Sequence, residues 1–250
     1  MTTERLPAIV IVPTYNERFT LPVLVDSLLT EYPNLHLLIV DDDSPDGTGE
    51  WARQKERNES RVNVLHRPAK SGLASAYLDG FAWAIERGYE FLMQMDADGS
   101  HRIGDVGKLL TCIEADDAVD LVIGSRWIPG GQTRGWGRHR VALSRAGNIY
   151  IQLMLGLDIS DATAGFRVYR ASLLRRLPVK AIESRGYGFQ VEMTYKAHRA
   201  GASITEVPIV FLERRAGQSK MSADIIIEEF AHVTRWGMQR LISRLYPQRR

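Results

Sequence analysis

Apolar positions in the first half of the chain fall into two alternating kinds of run. Ala8–Val12, Leu35–Val40, Val62–His66, the run from Phe91 to Met95 and Asp120–Gly124 are short, mostly apolar and bounded by turn residues, which predicts buried strands. Between them lie longer stretches at helical spacing. Thr20 is placed to cap a helix with Leu21-Pro22 in its first turn, where proline is tolerated. A second helix begins near Thr48. Ser71 to Arg87 sets Leu73, Tyr77, Phe81 and Ile85 on one stripe and closes at Gly88, and Arg102–Ala115 predicts a fourth helix. Strand–helix alternation with short connections predicts an α/β fold, a mostly parallel sheet covered by helices on both faces.

The pattern changes after Ser125. Pro129-Gly130-Gly131 and Gly135-Trp136-Gly137 break a loop that carries Arg126, Arg134, Arg138 and Arg140. Helices at Ala142–Leu155 and Phe189–Ala200 follow, then a strand at Ser203–Leu212 whose Pro208 restricts it to an edge or a strand end. Arg214 to Lys220 is a short basic loop containing Gly217, and Ala223–Leu245 predicts a last helix. No internal repeat or low-complexity linker interrupts the chain. The expected organisation is one domain: a nucleotide half (1–125), an acceptor half with a lid loop (126–221), and a C-terminal basic amphipathic helix (222–250).

Composition narrows the class. With 250 residues, 44% hydrophobic and 25% charged, the chain has the make-up of an ordinary globular protein able to bury a large core. A single cysteine, Cys112, excludes an internal disulfide and a cysteine zinc site. Its neighbours Leu109, Leu110 and Ile113 suggest a buried helix position. The polar start Met1–Pro7 does not read as a secretory signal, and no apolar run approaches the ~18 residues of a spanning helix. A soluble or peripheral protein of the cytoplasm is expected. The net charge of +2 is unevenly spread: 214–250 holds eight Arg/Lys and three Asp/Glu, so +5, leaving −3 for 1–213. Such a tail suggests an anionic partner. Nothing upstream has the aromatic and basic pattern of a nucleic-acid module, so a membrane or phosphate is preferred.

The candidate chemistry centres on FLMQMDADGSH, Phe91–His101. An apolar strand stops abruptly at Asp96, and Asp98 follows two residues later. In open α/β sheets ligands bind outside the carboxyl ends of the strands, so both carboxylates stand where a ligand is expected. Two hard oxygen ligands suit Mg²⁺ or Mn²⁺, whose other positions are filled by water and substrate phosphates.

Eight motifs in order then resemble a known family: PTYNE (Pro13–Glu17), DDDSPDGT (Asp41–Thr48), K-x-GL (Lys70–Leu73), DADGSH (Asp96–His101), GSR (Gly124–Arg126), DATAGFRVYR (Asp161–Arg170), GYGFQVEM (Gly186–Met193) and RRAGQSK (Arg214–Lys220). The chain resembles glycosyltransferase family 2, with its Rossmann-like GT-A fold, and within it the dolichol-phosphate or polyprenol-phosphate mannose synthases. The resemblance implies inverting transfer of mannose from GDP-mannose to a polyprenyl or dolichyl monophosphate. It implies a nucleotide-sugar site made by Pro13, Tyr15, Glu17, Val40, Asp42, Asp96, Ala97 and Asp98. Tyr15 would lie against the base, and Glu17 and Asp42 would accept hydrogen bonds from base or ribose. Arg214 and Lys220 would fold over the diphosphate, with Gly217 as a hinge.

The resemblance further places Arg126, Arg140 and Ser144 on the acceptor phosphate, as groups acting in catalysis beside Asp98. Planar guanidinium forks suit phosphate oxygens, with Arg138 and Arg145 as nearby alternatives. A hydroxyl acceptor needs a general base, and the stretch where many relatives carry a carboxylate pair reads Phe189-Gln190-Val191-Glu192. A phosphate monoester is already charged and needs none. Ser100 stands where some members carry a glutamine that helps to hold the metal, so its hydroxyl would contribute weakly. Membrane contact would come from the last helix, with Ile227, Phe230, Met238, Leu241, Ile242 and Leu245 on its apolar side and Arg235, Arg240 and Arg244 as its charge, or from a separate membrane-spanning protein. Two alternatives stay open at this level: a sibling enzyme using UDP-glucose or UDP-N-acetylglucosamine on a lipid phosphate or polysaccharide, and a non-catalytic nucleotide-binding scaffold.

Overall fold

The computed structural model describes residues 8–184, 188–213 and 223–245; side chains of Lys180, 223–229 and 243–245 are outside the description. The strands are β1 (Ile9–Thr14), β2 (His36–Asp41), β3 (Val62–His66), β4 (Phe91–Gln94), β5 (Leu121–Ser125), β6 (Gln132–Arg134), β7 (Arg167–Arg170), β8 (Ile204–Pro208) and β9 (Val210–Leu212). The helices are α1 (Leu21–Glu31), α2 (Thr48–Asn58), α3 (Leu73–Glu86), α4 (Ile103–Ala115), α5 (Arg138–Leu155), α6 (Ala171–Arg176), α7 (Gly188–Arg199) and α8 (Ala223–Leu245).

Seven strands form one sheet in the order β3-β2-β1-β4-β7-β5-β8, with all neighbours parallel except β7, which runs antiparallel to both β4 and β5. The strand pleat sorts the core into two layers. Ile9 and Ile11 of β1 face Tyr77 and Phe81 of α3 and Phe189 of α7. Val10 and Val12 face Leu24 and Leu28 of α1 and Val106 and Leu109 of α4. Strands buried on both faces explain why the sequence runs were continuous rather than alternating. Cys112 is half-buried on α4, where burial pushes its thiol up, away from nucleophilic thiolate.

Four expectations need correction. β7 was not foreseen as a strand, because its ends are Arg167 and Arg170, charged residues that normally argue for surface; both are buried here. The strand expected over Ser203–Leu212 breaks at Ile209: β8 joins the large sheet, while β9 pairs with β6 in a small parallel ribbon. α5 begins one turn earlier than Ala142, at Arg138, so Arg138 and Arg140 stand on a helix and not in the loop. Finally, Thr20 makes no side-chain cap; it is itself helical, and its hydroxyl donates to the Glu17 carboxylate at 2.6 Å.

Candidate active site

The residues expected to meet the donor nucleoside lie at the carboxyl ends of β1 and β2. Asn16 (φ 62°) and Asp43 (φ 55°) both adopt left-handed backbone there, a sparsely populated conformation held by side-chain bonds: Asn16 N–H donates to Ser44 Oγ, and Ser44 Oγ donates to Asp41 at 2.6 Å. Tyr15 and Glu17 are partly exposed beside this turn. Asp42 is buried, and its two oxygens already have partners: Arg67 Nη1 on one, the backbone N–H groups of Ser71 and Gly72 at 3.2 and 3.3 Å on the other. Asp42 therefore pins the start of α3. That anchorage sets Lys70 Nζ 3.9 Å from the centre of the Tyr15 ring, a cation on the face expected to meet a base. Val40 is a fully buried strand residue beneath, and Pro13 is half-buried in β1.

At the centre, Asp96 and Asp98 follow β4 as expected. Asp96 Oδ1 accepts from the Tyr77 hydroxyl at 3.2 Å; burial, then the Asp96 charge, push that phenol well above its usual range, so it stays a donor. Asp98 Oδ1 accepts the Ser100 N–H at 3.0 Å, and Ala97 is buried between the two carboxylates. The Ser100 hydroxyl is fully buried with no hydrogen-bond partner among the described residues, an orphan polar atom on the residue whose N–H Asp98 accepts. No set of three His, Cys, Asp or Glu side chains converges on a metal position among the described residues. Two carboxylates and a hydroxyl with the rest left open fit Mg²⁺ or Mn²⁺, which keep waters and bind substrate phosphates, better than a closed all-protein site.

The residues expected to meet the acceptor are Arg126, Arg140 and Ser144. Arg126 leaves the end of β5 and is buried in a bidentate pair with Asp161, both N···O distances 2.7 Å, while Asp161 also accepts the Arg126 backbone N–H. Arg126 Nη2 continues to Thr163 Oγ1, which takes Asn148 Nδ2, which reaches the Ser144 carbonyl. Glu206 on β8 holds the Asp161 end of this chain through the Ser160 and Asp161 N–H groups. Arg140, one turn into α5, is partly exposed and lies 3.9 Å over the Trp136 ring, with Glu213 at 3.5 Å. Gly131 lets the loop close on β5: a Cβ there would stand 2.7 Å from backbone atoms of Ser125 and Arg126.

Asp96, Arg126, Arg140 and Ser144 line a single cavity, which runs on between α5, α7 and α8 past Tyr150, Val191, Phe230, Val233 and Trp236. Its lining combines charged side chains with apolar ones. Sequence reasoning missed His101, which lines the same cavity, and Asp161 and Thr163, which orient Arg126. Glu192, the one carboxylate of the Phe189–Glu192 stretch, is buried and does not line the cavity. It accepts N–H groups of Glu183 and Ser184 and pairs with Lys196 at 2.8 Å. Burial alone would raise its pKa, but Lys196 and the Ser184 donors hold it below the ordinary carboxylate value. Arg214, Lys220 and Gly217 of the expected lid lie outside the described residues.

Comparison with known proteins follows the same lines. The family model for glycosyl transferase family 2 matches residues 9–177. An undecaprenyl-phosphate mannosyltransferase of Micrococcus luteus is 50% identical over 228 residues, 91% of this chain and 93% of its own. A polyprenol monophosphomannose synthase of Mycolicibacterium smegmatis is 45% identical over 237 residues, 94% of this chain and 89% of its own. Among solved structures, glucosyl-3-phosphoglycerate synthase of Mycobacterium tuberculosis with Mn²⁺, UDP and phosphoglyceric acid superposes with a TM-score of 0.65 at 20% identity, covering 95% of this chain and 78% of that one. The same enzyme with Mg²⁺ and UDP gives 0.64. These structures share the fold.

Proposed function

The chain belongs to glycosyl transferase family 2, and from that premise we propose that it is a polyprenyl-phosphate mannosyltransferase, moving mannose from GDP-mannose to a polyprenyl monophosphate. The observation that supports the reading is the cavity itself: Asp96, Arg126, Arg140 and Ser144 line it together with apolar side chains of α5, α7 and α8, a combination that suits a phosphate carrying an isoprenoid chain beside a sugar donor. The names of the two relatives supply the same acceptor class and sugar.

In this reading Tyr15, Glu17 and the turn at Asp41–Asp43 receive the nucleoside, Lys70 moving off the Tyr15 face as the base arrives. Asp96 and Asp98, with Ser100, would hold a Mg²⁺ or Mn²⁺ ion, which would neutralise charge on the leaving diphosphate. Arg140 and the outer edge of Arg126 hold the acceptor phosphate with Ser144. A phosphate oxygen attacks the anomeric carbon as the bond from that carbon to the GDP oxygen breaks. GDP leaves with the electron pair, and the sugar inverts to the β-linked lipid phosphate. No proton has to be removed, which agrees with Glu192 being committed to Lys196 and the chain at 183–184. The protein contributes position and charge stabilisation.

Residues of α5 and α8 leave Ile149, Leu153, Met238, Leu241 and Ile242 exposed, and no described helix is long and apolar enough to cross a membrane. We assign this side to the membrane surface, where a lipid acceptor resides, by itself or beside a membrane-spanning partner.

The test is transfer from radiolabelled GDP-mannose to a polyprenyl monophosphate with the purified chain. Expected are equimolar GDP and a mannosylated lipid phosphate, abolished by chelator and restored by Mg²⁺ or Mn²⁺. Transfer only from a UDP-sugar, or only to a free sugar hydroxyl, would overturn the assignment.

A further inference from the structure

Beside Asp96 the cavity holds buried polar atoms that the transfer chemistry above does not use. His101 is 5% exposed and neither ring nitrogen has a hydrogen-bond partner among the described residues; Gln190 is 3% exposed and its Oε1 is likewise unpartnered. An unsatisfied buried polar group is destabilising, so several kept at one place point to a ligand that satisfies them. The His101 ring is fixed by packing: it stacks on Phe166 at 4.7 Å and meets Phe211 edge-on at 5.3 Å, with Nε2 3.8 Å from Asp96 Oδ2. The Gln190 backbone is fixed too, its carbonyl accepting from Arg167 at 2.9 Å and from Thr194 at 2.8 Å. Between them Gly165 forms the floor, where a Cβ would stand 3.7 Å from Gln190 Nε2 and 3.8 Å from Asp96 Oδ2. Asp96, His101, Gly165 and Gln190 all line the cavity.

The chemistry of this corner selects its ligand. Gln190 offers its unpartnered Oε1 as an acceptor and its Nε2, the atom nearest Gly165, as a donor; the imidazole likewise offers one donor and one acceptor. A hydroxyl both donates and accepts, so an uncharged polyol satisfies all of them where an anion does not. We propose that His101 and Gln190, with Asp96 over the Gly165 floor, form the subsite for the ring of the transferred hexose and determine which hydroxyl pattern is accepted. This rests on the donor reading above and adds the specificity residues to it.

The test begins with wild-type enzyme and a series of GDP-mannose donors each lacking one ring hydroxyl. At least one deoxy donor should lose ten-fold or more in kcat/KM, because its absence leaves buried groups unpaired. Use of every deoxy donor within two-fold of GDP-mannose overturns the proposal. Gly165→Ala then adds a methyl at ordinary contact distance. It should melt like wild type and bind GDP equally in calorimetry, yet lose ten-fold or more in kcat/KM with GDP-mannose. Gln190→Leu should use the discriminated deoxy donor and GDP-mannose alike. Full activity of Gly165→Ala, or parallel loss of GDP affinity, sinks the subsite. Absence of mannose transfer by wild type with any donor of the series is a different result, and it sinks the parent reading instead.

Discussion

Two arginines with the same expected role sit in opposite surroundings. Arg126 is buried against a fully buried carboxylate, Asp161, whereas Arg140 is partly exposed over Trp136. Removing one member of a buried pair leaves an uncompensated charge, about 3–5 kcal/mol, while an exposed pair is worth about 0–1 kcal/mol. Arg126→Ala should therefore lower the melting temperature by roughly 6–20 °C, and Arg140→Ala by about 4 °C or less. Arg140→Ala should instead raise the KM for polyprenyl phosphate roughly ten-fold or more, with GDP affinity unchanged. Wild-type melting of Arg126→Ala, or loss of GDP affinity in Arg140→Ala, would reverse these roles. Glu192 gives a pH test. Its folded pKa is held down, so its stabilisation is present above the ordinary carboxylate value and is lost as pH falls through the folded value. Glu192→Gln should cost about 1–3 kcal/mol at pH 7, and the gap to wild type should close in acid. Its rate per folded molecule should stay within a few-fold of wild type; a drop of roughly 10²-fold or more at unchanged stability would make it a base. At this scale Asp96 and Asp98 were legible because a strand end places them. The Arg126–Asp161 pair was not, since it joins residues 35 apart in sequence through a loop whose path no periodicity encodes.

Among the elements, the five parallel strands of the first half were readable from apolar runs, because burial on both faces leaves a continuous signal. β7 was not, although it sits between β4 and β5 in the middle of the sheet. Its Arg167 is fully buried and holds the carbonyls of Ala162, Ala164 and Gln190, with Thr194 Oγ1, tying the loop before β7 to α7. Arg170 pairs with Glu90 at 2.9 Å and holds the Ile113 carbonyl at the end of α4. Long polar side chains here replace the apolar contacts that pattern reading looks for. The start of α5 was misjudged for a related reason: Gly137 and four arginines and histidines in the next turns resemble a loop, but Arg140 and Val141 N–H groups close onto the Gly137 carbonyl. Arg167→Leu keeps the strand apolar but strands the buried carbonyls of Ala162 and Ala164, while the Gln190 carbonyl keeps Thr194. It should destabilise by about 3 kcal/mol or more, a fall of roughly 6–12 °C, with loss of mannose transfer following the loss of folded protein. Unchanged melting of Arg167→Leu would show that the carbonyls find other partners and that Arg167 does not bind β7 to α7.

Over the whole molecule the cavity joins charged and apolar surroundings. Asp96, Arg126 and Arg140 line it together with apolar residues of α5, α7 and α8, and α5 and α8 leave Leu153 (75% exposed) and Ile242 (55%) in solvent. Exposed apolar side chains on two helices that pack together, with Arg235 and Arg240 on one of them, have the composition of a surface that meets an anionic lipid interface. The sequence suggested this for the last helix alone; α5 contributes equally, which helical periodicity could not show because the neighbour of α5 was unknown. A long isoprenoid acceptor is drawn from the bilayer, so docking and acceptor use should be coupled, whereas a short-chain polyprenyl phosphate arrives from solution. Leu153→Glu with Ile242→Glu should thus abolish co-sedimentation with vesicles containing anionic lipid. The pair should also raise the apparent KM for a long-chain acceptor in those vesicles by ten-fold or more. Melting temperature and turnover of a short-chain acceptor should match wild type, since both positions are exposed and distant in role from Arg140 and Asp98. Retained vesicle binding by the double variant, or equal loss of activity on both acceptors, would place the membrane contact elsewhere on the molecule.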